Sequence, residues 1–95
     1  MSDDLQALHE HLEATEELPV RPDASVWLGE AAAIAADVAD GDAPRSVVVD
    51  RVGRVATLLA EVETTGNSDA DDHVRAAERI AARIVRNGDD GTGSG

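Results

Sequence analysis

PRSVVVDRVGRVATLLAEVETTGNSDADDHVRAAERIAARIVR, residues 44–86, is the stretch whose reading decides the fold. In its first half Val48, Val52, Val55, Leu59 and Val62 recur at alternating steps of four and three residues. Val74, Ala77, Ala81 and Ile84 continue the rhythm in the second half. Apolar positions at those steps fall on one stripe of an α-helix. The stretch therefore predicts two amphipathic helices forming an antiparallel hairpin, turned at Gly66-Asn67-Ser68. Val47-Val48-Val49 has strand-like propensity and makes residues 46–50 a competing strand. A stripe sustained over four turns outweighs three β-branched residues, so helix is expected there.

Working outward, Asp42 is a candidate cap for the helix that follows it, with Pro44 in the first turn, where its missing amide hydrogen does no harm. The preceding helix is capped by Asp23 or Ser25 and presents Trp27, Ala31, Ile34 and Val38, flanked by Ala24, Leu28 and Ala35. Trp27 is the only aromatic residue in the chain and is expected to plug one end of the core. Gly41 falls just past the end of this helix. Before it, Pro19-Val20-Arg21-Pro22 reads as an extended linker. The first helix covers roughly residues 3–17, with Ser2 as N-cap, Asp3 and Asp4 favouring the positive end of the helix dipole, and Leu5, Leu8 and Leu12 as its stripe.

Toward the other terminus, Gly66 ends the third helix and Asn67 or Ser68 caps the fourth, whose first turn is loaded with Asp69, Asp71 and Asp72. Asn87-Gly88 is expected to close it, leaving residues 88–95 as a disordered tail rich in Gly and Asp. The whole predicts an all-α, up-down-up-down antiparallel four-helix bundle made of two helical hairpins, one domain over residues 1–87.

Charge carries the second signal. Twenty Asp and Glu face eight basic residues, all of them Arg, for a net charge of −12 in a chain of 95 residues. Such a charge opposes compaction at low salt and is screened in molar salt, where the Debye length is only about 3 Å. An acidic, lysine-free, alanine-rich chain therefore suits a salt-saturated cytoplasm. Residues 1–44 hold eleven acids and one arginine, whereas residues 45–87 hold seven of each. With no cysteine there is neither a disulfide framework nor a thiolate metal site. No apolar run is long enough to span a bilayer, and Met1-Ser2-Asp3-Asp4 is acidic where a signal peptide would be basic, so no membrane association and a cytoplasmic location are expected.

Candidate sites are few. Arg75, Arg79, Arg83 and Arg86 fall within an arc of about 80° on the outer side of the last helix. Like charges one turn apart destabilise a helix, so the stripe calls for acidic company, either from the acidic faces of the first two helices or from an external partner. A solvated or internally paired stripe is expected first; among external partners, a protein or a second copy of the chain fits best. Nucleic acid is disfavoured, because the chain is strongly acidic, lacks an aromatic beside the stripe, and gains little from phosphates in molar salt. His9 and His11 project about 160° apart on a helix and cannot chelate one ion together. His73 stands alone beside the apolar side of the last helix, so no transition-metal site is expected.

Glu13-x-x-Glu16-Glu17 and Asp37-x-x-Asp40 are similar to the carboxylate pairs with which all-α pyrophosphohydrolases of the MazG family hold Mg²⁺. Asp37 stands where that pattern has Glu, and this half of the chain lacks the basic residues a triphosphate would need. The serines fall at caps, in a first turn and in the tail, and the terminal Gly91-Thr92-Gly93-Ser94-Gly95 has no strand before it and no helix after it. Neither a nucleophilic triad nor a phosphate loop is available. No catalytic residue, cofactor or small-molecule ligand is expected.

Three segments together, LHEHLEATEELPV (8–20), VWLGEAAAIAADVADGDAP (26–44) and DRVGRVATLLAEVETTGNSDADDHV (50–74), resemble a family of small acidic haloarchaeal proteins without assigned function. The resemblance covers nearly the whole chain and implies a halophile's cytoplasm, but it supplies no residue roles. The expected function is that of a non-enzymatic interaction or regulatory module, with the MazG-like hydrolase and a nucleic-acid-associated factor using the Arg stripe as alternatives.

Overall fold

Four helices account for most of the chain in the computed structural model, which describes residues 2–41 and 43–93: α1 (Ser2–Glu16), α2 (Pro22–Asp40), α3 (Arg45–Ala60) and α4 (Ser68–Gly93). Each helix packs against two neighbours, in the ring α1–α2–α3–α4 and back to α1, while among the described residues the backbones of diagonal helices stay more than 8 Å apart, Cα to Cα. This is the up-down-up-down bundle that the stripes predict, with residues 46–50 helical. Leu8, Leu12, Leu28, Val52, Val55, Leu59 and Ile84 are sealed from solvent at its centre. Burying each such side chain favours the fold by about 1.5–3 kcal/mol before chain entropy is set against it. Among the described residues no helix is long and apolar enough to cross a membrane.

The element boundaries differ from expectation where backbone chemistry overrides periodicity. Helix α2 starts at Pro22, with Arg21 as N-cap and no side-chain capping bond, instead of being capped by Asp23 or Ser25. Proline at the first helical position sacrifices nothing, since that amide has no partner inside the helix. Pro44 is the N-cap of α3 and not part of its first turn, and its carbonyl accepts from the amides of Val47 and Val48, both at 3.0 Å. The expected cap Asp42 lies outside the described residues.

Gly41 does stand at the end of α2, in extended conformation, with its amide on the Asp37 carbonyl at 3.1 Å. Helix α1 starts at Ser2 and runs to Glu16, ahead of the Leu18-Pro19 stop. Helix α4 is helical in its backbone to Gly93, six residues beyond Asn87. Glycine costs a helix about 1 kcal/mol and does not forbid it, and no proline follows.

Two corrections concern packing. Trp27 packs against the core from its rim and is half-buried, not enclosed, sharing a surface pocket with Arg21, Glu61, Val62 and Thr64. The face of α2 that turns inward is Ala24, Leu28, Ala31, Ala35 and Val38, with Ile34 only partly covered. Alanines let α2 approach its neighbours closely and leave no room between them for an indole.

The second correction is the turn after α3. That helix ends at Ala60, capped by Glu61, so residues 61–67 form a loop and Gly66 does not terminate it. Val62 packs on the core from that loop. Gly66 has φ +80°, and a Cβ there would stand 2.9 Å from Cγ of Arg21, so only glycine fits without strain.

Candidate functional site

The arginine stripe lies on the outside of α4 as predicted, with Arg75, Arg79, Arg83 and Arg86 all exposed. Its members have different surroundings. Arg83 reaches across to α1 and makes a two-pronged contact with Asp4, Nη2 to Oδ1 at 2.6 Å and Nε to Oδ2 at 3.2 Å. Hydrogen bonding to that carboxylate, reinforced by its charge, raises the guanidinium above its ordinary pKa. Arg75 lies 3.8 Å from Asp72, one turn earlier, with both side chains in solvent, and its charge also reaches Asp71. Among the described side chains, no carboxylate lies within 4.0 Å of Arg79; Asp89 and Asp90, which follow Arg86, have side chains outside the described ones.

The seam between α1 and α4 also brings together two residues that the sequence presents as unrelated. His11 and His73 face each other with Nδ1 to Nδ1 at 2.9 Å, ring centroids 5.1 Å apart and planes inclined at 48°, both half-buried. His9, on the other flank of α1, lies 3.7 Å from Glu13 instead. Periodicity places each histidine correctly on its own helix, but the register of α1 against α4 decides which residues meet, and no stripe encodes that.

Among the described side chains the carboxylates of the hydrolase alternative are not brought together; that of Asp40 lies outside them. Glu13, Glu16 and Glu17 are exposed near the end of α1, and Asp37 is exposed near the end of α2. Because the two helices run antiparallel, Glu13 and Asp37 are separated by roughly 18 Å along the bundle, at 1.5 Å per residue. Among the described residues no three His, Asp or Glu side chains converge in a way that would hold a metal ion.

A polar cluster ties down the start of α4, joining the expected cap Asn67 to Thr65, whose part the helix signals did not announce. Asn67 is its N-cap, the side-chain Oδ1 accepting from the amides of Asp69 at 2.9 Å and Ala70 at 3.1 Å. Thr65 is fully buried; its amide donates to Asp71 Oδ1 at 2.8 Å, and its hydroxyl lies 2.8 Å from both Asp71 Oδ1 and the Asn67 carbonyl. The Thr65 amide, and then its hydroxyl, hold the Asp71 carboxyl below the usual carboxylate pKa. The Thr65 carbonyl in turn accepts from the amide of Arg21 at 2.7 Å, joining this loop to the α1–α2 linker. The signal was present in Thr64-Thr65-Gly66-Asn67-Ser68, whose short polar side chains bond their own backbone.

Neither the curated proteins nor the solved structures hold a match to this chain. The family model described as Domain of unknown function (DUF8152) matches residues 4–91, nearly the whole length, and the chain belongs to that family.

Proposed function

We propose that the chain is a non-enzymatic helical module that docks an acidic protein surface on the outer face of α4, through Arg75, Arg79 and Arg86. One observation carries this. In a chain with twenty acids and eight arginines, Arg79 has no carboxylate within 4.0 Å among the described side chains, while Arg83 is taken by Asp4. Side chains so outnumbered by opposite charge are kept apart from it only by placement on one face, and such a face is complementary to an acidic one. A second copy of the chain offers such a face in its α1–α2 half, which holds eleven acids to one arginine over residues 1–44.

The test is pull-down and sedimentation in molar KCl with wild type and the triple variant Arg75→Glu, Arg79→Glu, Arg86→Glu. Arg83 is left intact because it holds α1. Loss of self-association or of acidic partners in the variant is expected, and an unchanged partner set and sedimentation coefficient would refute the proposal. Partners that are nucleic acid and not protein would assign the stripe to phosphates instead.

The setting we infer is the cytoplasm of a halophilic archaeon, supported by the acid excess and the absence of lysine. The melting temperature is then expected to rise with KCl up to molar concentration, as screening relieves self-repulsion. A melting temperature flat across that range would count against the inference.

A further inference from the structure

We propose that His11 and His73 form a two-imidazole clamp for a late divalent transition metal, Ni²⁺ or Cu²⁺, fastening α1 to α4. Two ring nitrogens on different helices already stand 2.9 Å apart. Metal–imidazole bonds of about 2.0–2.1 Å at a right angle put neighbouring nitrogens about 2.9 Å apart, and the tetragonal geometry of Cu²⁺ and Ni²⁺ has such right angles. The tetrahedral angle of Zn²⁺ asks for about 3.3 Å with bonds of the same length, a wider opening of the seam.

Without metal the pair is held by one proton, one Nδ1 donating and the other accepting. Binding turns both Nδ1 lone pairs toward a common ion. The donor ring changes tautomer, its proton moving from Nδ1 to Nε2 through solvent, so the pair keeps its proton count. No third His, Asp or Glu completes the group among the described residues, so water fills the other positions and the ion exchanges readily.

The surroundings favour a cation. Glu10 precedes His11 on α1 and Asp69 lies one turn before His73 on α4, while Asp72, next to His73, is already faced by Arg75 at 3.8 Å. These carboxylates raise the local concentration of divalent ions without selecting among them; selection falls to the imidazoles, which prefer the later transition metals to Mg²⁺. Half-burial of both rings fixes their orientation, which an exposed pair would lack. His9, engaged with Glu13, is an internal control on the same helix.

The experiment is thermal melting and calorimetric titration of the full chain in molar KCl with NiCl₂, CuCl₂ or MgCl₂. One Ni²⁺ or Cu²⁺ per chain is expected, with a melting temperature that climbs with metal concentration because the ion binds the folded state. Mg²⁺ is expected to add nothing beyond its ionic strength. His11→Ala and His73→Ala should each weaken binding by at least about tenfold, and His9→Ala should not. No metal-dependent shift, or equal shifts in wild type and both variants, would overturn the clamp and assign binding to surface carboxylates.

Should either alanine variant fail to fold, NMR of the wild type decides. The chain has three histidines, and substoichiometric Cu²⁺ is expected to broaden the ring signals of His11 and His73 before that of His9. Broadening of His9 first, or of all three together, would likewise overturn the proposal.

Discussion

Where α1 hands over to α2 and α3 to α4, two loops meet and are tied by short hydrogen bonds. The Arg21 amide donates to the Thr65 carbonyl, Thr65 is buried against Asp71, and Asn67 caps α4. At the opposite end, among the described residues, the α2–α3 connector makes local backbone bonds at Gly41 and Pro44, and chain-distant residues meet in the ion pair of Asp4 with Arg83. One end is thus held by buried polar geometry, which salt hardly touches. The other is held by exposed charge, which salt screens. In an acidic protein suited to strong brine, the division separates structure that persists in any medium from structure tuned by it.

The contrast breaks most visibly at Thr65. Replacing it by valine keeps the shape and the backbone donor to Asp71, but removes the hydroxyl that donates to that carboxylate and leaves the Asn67 amide without its acceptor. A loss of about 1–3 kcal/mol is expected by denaturant unfolding, the range for a buried polar group left without its partner. Asp4→Asn, the matched change at the far end, should lose less and become indistinguishable from wild type in molar KCl. If Asp4→Asn proved the costlier in strong salt, the division between the ends would be wrong.

A smaller effect sharpens it further through pH. The Asp71 carboxyl is held below its ordinary value in the folded state, so its contribution is present in full above the unfolded pKa and is lost as pH falls through the folded one. Between about pH 5 and pH 3, wild type should therefore lose stability faster than Asp71→Asn, and the two curves should approach each other. Parallel curves would mean that Asp71 does not titrate against Thr65.

What could be read in the sequence, and what could not, follows from the range of the forces involved. The stripes Leu5-Leu8-Leu12 and Val48-Val52-Val55-Leu59 state which face of each helix is buried, because a single helix's geometry suffices to interpret them. Asn67 as a cap was legible for the same reason, since the bonds it makes span three residues. The meeting of His11 with His73, 62 residues apart, depends on how two helices slide past each other, and angular position on one helix carries no such information. Trp27 packs on the core but lies shallower than its size suggests, because the alanines of α2 bring that helix close to its neighbours. The outer stripe of α4 was found from spacing alone, yet only the position of Asp4 reveals that Arg83 stands apart from Arg79.

The ring of helices has a consequence for the order of assembly. Three of its four seams join helices adjacent in sequence and can form from short loops, but the α1–α4 seam joins residues separated by most of the chain. Non-local contacts of this kind repay their loop-closure entropy late. During synthesis, the side of α1 that will meet α4 stays uncovered until the last helix has left the ribosome. Closure of the bundle is therefore a single terminal event, and the histidine pair and the Asp4–Arg83 contact are the groups that register when it has happened.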